Sequence, residues 1–121
     1  MSSGIFNISG GVVKTYANNS ILFREDEIGS YIYILVEGKV EITKKNKIIA
    51  NISETGSTIG EVSLLLGLPY SATCKSIGET KVVEINFNEG FFEENPYFLL
   101  HVARDLAEKL IKANKSKLIY L

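Results

Sequence analysis

The chain has 121 residues, of which 45% are hydrophobic and 22% are charged, and its formal net charge is -1. This length suits one domain with its own core, and the composition is that of a folded globular chain rather than a disordered or collagen-like one. Thirteen Lys and Arg residues stand against fourteen Asp and Glu residues. We therefore expect no direct binding to nucleic acid, which needs a basic face.

The sequence shows neither a signal peptide nor a pair of cysteines that could form a disulfide. The N-terminal residues lack the basic and apolar regions of a signal peptide, and the single cysteine, Cys74, cannot form an internal disulfide. The uncharged run from Val62 to Cys74, which no other run exceeds in length, contains Gly67 and Pro69 and falls below the roughly 18 residues that a membrane span needs. We expect a cytoplasmic protein that makes no contact with a membrane.

Short apolar runs separated by turn residues extend from Val12 to Ile85 and predict an antiparallel sandwich or barrel. We expect turns at Glu37-Gly38 and at Lys45-Asn46, with Gly38 at a positive φ or a close backbone approach. The predicted strands are Ile32 to Val36, Val40 to Lys44, Ile48 to Ile52 and Lys81 to Ile85.

A long helix is predicted from Pro96 to the end of the chain, with Asn95 as its N-cap. Its apolar residues form two stripes, and two stripes need two partners. One partner would be the β-domain and the other the same helix of a second chain; a single broad stripe packed within the chain is the alternative. The first stripe is Leu99, Ala103, Leu106, Leu110 and Ala113, and the second is Leu100, Ala107, Ile111 and Leu118.

The segment Gly60 to Thr73, Gly-Glu-Val-Ser-Leu-Leu-Leu-Gly-Leu-Pro-Tyr-Ser-Ala-Thr, has the pattern of an anion site. Gly60 lacks a Cβ, so backbone can approach an anion, and the amides of Glu61 and Val62 would open a short helix whose dipole favours negative charge. Each feature also has a structural explanation. Glu61 can stabilise its own helix from the first turn, and Ser71 after a proline is an ordinary turn residue.

This segment resembles the phosphate-binding cassette of cyclic-nucleotide-binding domains. A second block, Phe23 to Val40, is similar to the family pattern Phe-Arg-Glu-Gly-Asp-x-Gly-Asp followed by Tyr-Ile and Gly-x-Val, with Asp26 replacing a turn glycine and Ser30 an acidic residue. A third block, Val83 to Phe87 followed by Asn95-Pro96 and the long helix, resembles the catabolite-activator (Crp/Fnr-like) branch.

The resemblance covers about residues 12 to 121 and implies one sensor domain, residues 1–121. Its fold would be mainly β with helices: an antiparallel, jelly-roll-like β-roll over about 12–87, then a dimerisation helix over about 96–121. No DNA-reading helix is predicted in this chain. The sequence would be either the sensor half of a longer transcription regulator or a stand-alone sensor module, and both readings stay open.

The resemblance also implies site roles. Glu61 would accept a hydrogen bond from a ribose 2′-hydroxyl, Ser71 matches a phosphate-contacting serine, and Asn114 matches a position that contacts the base. The ligand would be a small anion, cAMP or cGMP. Tyr70, however, stands where the family usually has an arginine that clamps the phosphate.

The missing arginine weakens the cyclic-nucleotide prediction. A guanidinium gives a phosphate two charge-assisted hydrogen bonds, and removing one partner of such a pair costs about 2 to 5 kcal/mol, or roughly 30-fold to a few thousand-fold in affinity. Tyr70 offers a neutral hydroxyl and a ring that would fill the pocket. Lys75 is a weak candidate for a substitute cation.

No enzymatic activity, resident cofactor or metal site is predicted. The chain has one histidine, His101, and one cysteine, and it lacks the glycine-rich motifs that bind nucleoside triphosphates or dinucleotides. A His101–Asp105 hydrogen bond on the helix would imitate only part of a catalytic triad. Three functions therefore stay open: a dimeric ligand sensor, a protein-interaction module that binds no ligand, and a sensor of another small anion.

Overall fold

The computed structural model describes residues 10–88 and 90–114, and for residues 92, 113 and 114 it describes the backbone alone. Along the described chain, five strands are followed by a short helix, a sixth strand, a second short helix and one long helix. They are β1 (Gly11–Tyr16), β2 (Ile21–Phe23), β3 (Tyr31–Lys44), β4 (Lys47–Ile52), β5 (Thr58–Ile59), α1 (Glu61–Leu66), β6 (Thr73–Asn86), α2 (Phe91–Glu94) and α3 (Pro96–Asn114).

All six strands belong to one antiparallel sheet that is built on two long strands, β3 and β6, of 14 residues each. These two strands pair along most of their length, from Tyr31↔Asn86 to Thr43↔Thr73. The four shorter strands pair with their outer edges: β1 and β2 with β6, and β4 and β5 with β3. This arrangement confirms the predicted β-roll with a C-terminal helix.

The prediction of two separate strands with a turn at Glu37-Gly38 is wrong, because β3 runs through this point. The pairing with β6 shifts register on both sides of Glu37, so the extra residue forms a bulge rather than a turn. Gly38 does adopt a φ of 100°, and a Cβ there would lie 2.7 Å from the carbonyl oxygen of Glu79. The predicted turn at Lys45-Asn46 is confirmed, with φ values of 50° and 66°.

The sheet is buried on both faces along the first part of β3, where Ile32 to Leu35 are all buried. Alternate side chains point into two cores. Inside the roll lies a cluster of Phe23, Tyr33, Leu35, Val40, Ile59, Tyr70, Cys74 and Val82. Between the sheet and the helices lies a cluster of Ile32, Ile34, Val83, Ile85, Phe91, Phe98 and Val102.

Helix α3 begins at Pro96, as predicted, but packs through a different face. Phe98 and Val102 are buried and Leu106 is partly buried against the sheet, so Leu106 alone of the predicted stripes is in the described core. Most members of both predicted stripes point outward instead, and Leu118 lies outside the described residues. The exposed members are Leu99, Leu100, Ala103, Ala107, Leu110 and Ile111.

The hydrophobic residues of α3 do not make it a membrane segment. Within residues 10–88 and 90–114, no helix is both long and apolar enough to cross a bilayer.

Candidate functional site

The two ends of the segment Gly60–Ser71, residues 60–63 and 70–71, line a cavity of about 130 Å³. Five predicted site residues line this cavity, so the fold brings them together: Gly60, Glu61, Val62, Tyr70 and Ser71. Their roles toward a ligand stay predictions. Asn114, the predicted base contact, is the last described residue of α3, and its side chain lies outside the described part of the structure.

Two glycines in left-handed conformations bound the short helix α1. Gly60 precedes it with φ 84°, and Gly67 follows it with φ 67° while its amide donates to the carbonyl of Leu64 at 3.3 Å. A Cβ on Gly60 would also lie 3.2 Å from Cε1 of Tyr70. Gly60 is thus required both by its backbone conformation and by the ring packed beside it.

Tyr70 belongs to the core inside the roll, and only 4% of its surface is exposed. Its ring stacks on Phe23 with centroids 4.0 Å apart, and its hydroxyl donates to the carbonyl oxygen of Tyr31 at 2.8 Å. A Cβ on Gly29 would fall 2.0 Å from Cε2 of Tyr70, so the ring lies directly on that glycine. Burial raises the pKa of Tyr70. The side chain of Tyr70 is therefore neutral, and its hydroxyl is used within the fold.

Helix α3 supplies a cation to the same cavity. Lys109 Nζ donates to the carbonyl oxygen of Thr58 at 2.8 Å and lies 3.2 Å from Oε1 of Glu61 and 2.9 Å from Oδ2 of Asp105. Glu61 is only 3% exposed. Burial opposes the charged form of Lys109, but the nearby carboxylates of Glu61 and Asp105 outweigh it and raise the pKa of the amine. The carboxylate predicted to meet a ribose hydroxyl is thus already paired with α3.

Asp105 forms a second link between α3 and the cavity wall. Its Oδ2 accepts hydrogen bonds from the Thr58 hydroxyl at 2.7 Å and from the Thr58 amide at 3.3 Å. Burial alone would raise the pKa of Asp105, yet the bonds from Thr58 and Lys109 outweigh it and lower that pKa. The predicted partner of Asp105, His101, instead places Nε2 2.8 Å from the carbonyl oxygen of Gly56.

The sequence interpretation missed Thr58, Asp105 and Lys109. A signal was present, because Phe98, Val102, Asp105 and Lys109 recur at three- and four-residue spacing and so share one helix face. The apolar residues elsewhere on α3 obscured it.

A larger groove of about 850 Å³ lies beside the inner cavity, between β4 and α3. Ile49, Ile52, Leu106 and Leu110 are among its apolar lining residues. Glu61 and Lys109 line both the cavity and the groove. Their ion pair therefore stands at the boundary between the two spaces.

The structure gives no support for Lys75 as a substitute cation, for Cys74 as a nucleophile or for a metal site in the described residues. Lys75 pairs with Glu41 at 3.7 Å and is not among the residues that line the cavity. Burial raises the pKa of the Cys74 thiol to about 12, so this cysteine is a poor nucleophile. In the described part of the chain, no group of three or more His, Cys, Asp or Glu residues is placed to hold a metal ion.

Comparison with known proteins gives a consistent family match. A family model described as "Cyclic nucleotide-binding domain" matches residues 13–93. The Rap guanine nucleotide exchange factor 1 of Caenorhabditis elegans is 41% identical over 62 residues, which cover 50% of this chain and 6% of that protein. The cAMP-dependent protein kinase regulatory subunit of Dictyostelium discoideum is 30% identical over 79 residues, 59% of this chain and 24% of that protein. The chain thus spans a small part of these curated relatives.

Solved structures agree in fold. A cAMP-bound fragment of PfPKA-R superposes with a TM-score of 0.68 at 27% identity, covering 88% of this chain and 36% of that one. The catabolite activator protein of Thermus thermophilus superposes with a TM-score of 0.70 at 20% identity, covering 93% of this chain and 53% of that one. At 20% identity the second likeness concerns the fold alone.

Proposed function

The chain belongs to the cyclic nucleotide-binding domain family, and from this we propose that it is a regulatory ligand-sensing domain rather than an enzyme. A small ligand would enter the cavity beside α1, and helix α3 would pass the change to a partner or to a neighbouring domain. One observation carries this proposal: Lys109 and Asp105 of α3 bond directly to Glu61 and Thr58 of the cavity wall. A ligand that bonds to Glu61 therefore contacts a residue that holds α3, so its binding is coupled to the position of the helix.

We further propose that the affinity for cyclic nucleotides is weak or absent. Tyr70 supplies no positive charge in the arginine position, and its hydroxyl already donates to Tyr31. Lys109 is the cation of the cavity wall, but its ammonium group already meets the Thr58 carbonyl and two carboxylates. A cyclic phosphate would have to compete with these groups for it.

Dimerisation through α3 completes the proposal. Leu99, Leu100 and Ile111 are each exposed over 45% to 52% of their surface, an apolar face that the same helix of a second copy could cover. The domain could serve either as a stand-alone sensor or as the sensor part of a longer transcription regulator. The match to 24% of the Dictyostelium discoideum kinase regulatory subunit is consistent with a domain that works within a longer protein.

A second candidate function is a protein-interaction module that binds no small ligand. The buried ring of Tyr70 favours it, since that ring occupies space next to Gly29 and Gly60. The two functions differ in whether the cavity still accepts a ligand once a cation is restored.

Calorimetric titration with 3′,5′-cyclic AMP and 3′,5′-cyclic GMP to millimolar concentration, on the native chain and on Tyr70→Arg, separates them. Circular dichroism first establishes that the variant is folded, because it loses the stacking on Phe23. If the domain is a sensor, we expect Tyr70→Arg to bind a cyclic nucleotide more tightly than the native chain does. If it is an interaction module, we expect no heat of binding from either protein. Hydrogen exchange over residues 87–112 of the cyclic-nucleotide-bound variant then tests the α3 link. Unchanged exchange at saturation would contradict it.

A further inference from the structure

We infer that the ligand of this cavity is an uncharged ribonucleoside rather than a cyclic nucleotide or another anion. The inference rests on the proposed function, because it keeps Glu61 as the acceptor for a sugar hydroxyl. It goes further in naming the chemical class that the charges, the free space and the hydrogen-bonding groups of the described residues favour.

Charge disfavours an anion. Among the described residues that line the inner cavity, the charged ones are Glu61 and Lys109, and Asp105 binds the same lysine. Two carboxylates and one ammonium leave this cluster with one excess negative charge. An anion would have to take Lys109 from a carboxylate while facing that carboxylate at close range. A neutral ligand leaves the ion pairs in place.

Space disfavours the phosphate in particular. The Tyr70 ring lies between Gly29 and Gly60, 2.0 Å and 3.2 Å from where their Cβ atoms would be. The remaining cavity of about 130 Å³ is smaller than the roughly 300 Å³ at which drug-sized ligand pockets begin. It therefore holds one part of a ligand, of the size of a sugar. The remainder would lie in the adjoining groove of about 850 Å³.

The groove suits a flat, largely apolar base. Ile49 and Ile52 of β4 line one side, and Leu106 and Leu110 of α3 line the other. Ile49 and Leu110 are 58% and 52% exposed, so a ring placed between them would remove apolar surface from water. Because the groove and the inner cavity share Glu61 and Lys109 as walls, one ligand can occupy both.

The ion pair at this boundary suits adjacent hydroxyl groups. Glu61 offers a carboxylate that only accepts hydrogen bonds, and Lys109, 3.2 Å away, offers an ammonium that only donates them. The 2′-hydroxyl of a vicinal diol can donate to the first while the three N–H groups of the second keep their bonds to Thr58, Glu61 and Asp105. A ribose therefore fits the pair better than a deoxyribose, which lacks one of the two hydroxyls.

Isothermal titration calorimetry of the native chain tests the inference directly. The probes are adenosine, guanosine, 2′-deoxyadenosine, 3′,5′-cyclic AMP and 3′,5′-cyclic GMP, each to millimolar concentration. We expect each ribonucleoside to bind at least tenfold more tightly than its cyclic phosphate, and adenosine at least tenfold more tightly than 2′-deoxyadenosine. Glu61→Leu, which leaves no hydrogen-bond acceptor at this position, should abolish the preference for adenosine over its deoxy form. Lys75→Met, whose lysine pairs with Glu41 outside the cavity lining, should keep it.

The outcomes separate this inference from the proposed function. If a cyclic nucleotide binds the native chain as tightly as its nucleoside, the inference is wrong and the sensor function stands. If the native chain binds no probe but Tyr70→Arg binds a cyclic nucleotide, the inference is again wrong and the cavity is intact. If neither protein binds any probe, both fail. Equal affinity for adenosine and 2′-deoxyadenosine would overturn the assignment of the diol to Glu61.

Discussion

Lys109 in α3 lies 3.2 Å from Glu61 at the start of α1, so an ion pair joins the wall of the candidate ligand cavity to the C-terminal helix. The two residues are 48 positions apart in the chain. Only 4% of the Glu61 side chain is exposed, against 38% of the Lys109 side chain. The buried Glu61 carboxylate therefore depends on Lys109 to neutralise its charge, whereas the lysine itself remains partly in contact with solvent.

Lys109→Met should destabilise the protein, because it leaves the buried Glu61 carboxylate without its cation. Breaking a fully buried pair costs about 3 to 5 kcal/mol, and the exposure of Lys109 reduces the expected loss to about 1 to 2 kcal/mol. Urea denaturation measures the change. The matched control is Lys112→Met, whose lysine faces Glu54 at 3.9 Å with both side chains more than 70% exposed; it should change stability by less than about 0.5 kcal/mol. Equal effects of the two variants would contradict a structural role for the pair.

Asp105→Asn should produce a pH-dependent loss of stability. The pKa of Asp105 is lowered in the folded state from the ordinary value of 3.8. A lowered carboxyl pKa stabilises the fold above the unfolded pKa, and this contribution disappears as the pH falls through the folded pKa. We expect the variant to be less stable by about 1 kcal/mol near neutral pH, and the difference to shrink as the pH falls below 3.8.

Urea denaturation of both proteins across this pH range checks the Asp105 prediction. A stability difference that stays constant from neutral pH into the acid range would show that the Asp105 charge does not contribute through Thr58 and Lys109.

Gly29→Ala should be strongly destabilising, because the new methyl group would fall 2.0 Å from Cε2 of Tyr70. The buried ring cannot move away without losing its stacking on Phe23, and overpacking of this kind typically costs about 1 to 3 kcal/mol. Thermal or urea unfolding measures the loss. Gly90→Ala is the matched control, since Gly90 has φ -78° and its nearest new contact would be 3.5 Å away.

Tyr70→Leu in the Gly29→Ala background provides a further test. It should reduce the cost of the alanine, since the smaller side chain removes the clashing ring atoms. If the two changes have simply additive effects, Tyr70 does not pack on Gly29 as described.

The chain should be a dimer that depends on the outward face of α3. Leu100→Glu combined with Ile111→Glu places two charges on residues that are 45% and 52% exposed and that do not line the groove beside β4, and should yield a folded monomer. Sedimentation equilibrium measures the mass of each form, and Lys112→Glu, on an exposed polar position, should leave the dimer intact. A monomeric native chain at high micromolar concentration would disprove the predicted homodimer.

Local signals in the sequence correctly predicted much of the fold. Alternating apolar residues predicted the paths of the strands, and Lys45-Asn46 predicted a turn, because these patterns depend on neighbours in the chain. The position of Asp26 is instructive: it stands where the family pattern has a glycine, and it still adopts a φ of 70°. The error at Gly38 has a physical reason, because a glycine with positive φ serves a bulge as well as a turn, and only pairing with β6 distinguishes them.

The orientation of α3 was not predictable in the same way. Apolar residues occur on most of its circumference, so periodicity alone did not select a packing face. The choice was made by contact with the sheet, where Phe98 and Val102 enter the core. Asp105 and Lys109 lie on the same helix face and so reach the cavity. Their spacing from Phe98 and Val102 indicates that shared face, but nothing local predicts the contacts with Thr58 and Glu61.

By itself, the sequence determined the antiparallel β class of the fold and the start of its long C-terminal helix, and it marked the segment Gly60–Ser71 as the candidate site, but it did not predict β1, β2 or β5. It could do so because glycine conformations, apolar alternation and a proline at a helix start act over a few residues. Only the tertiary structure decided that the Tyr70 hydroxyl is used by Tyr31, that its ring lies on Gly29, and that Lys109 neutralises Glu61. These relationships join residues far apart in the chain, and they depend on how the helix and the strands pack against one another.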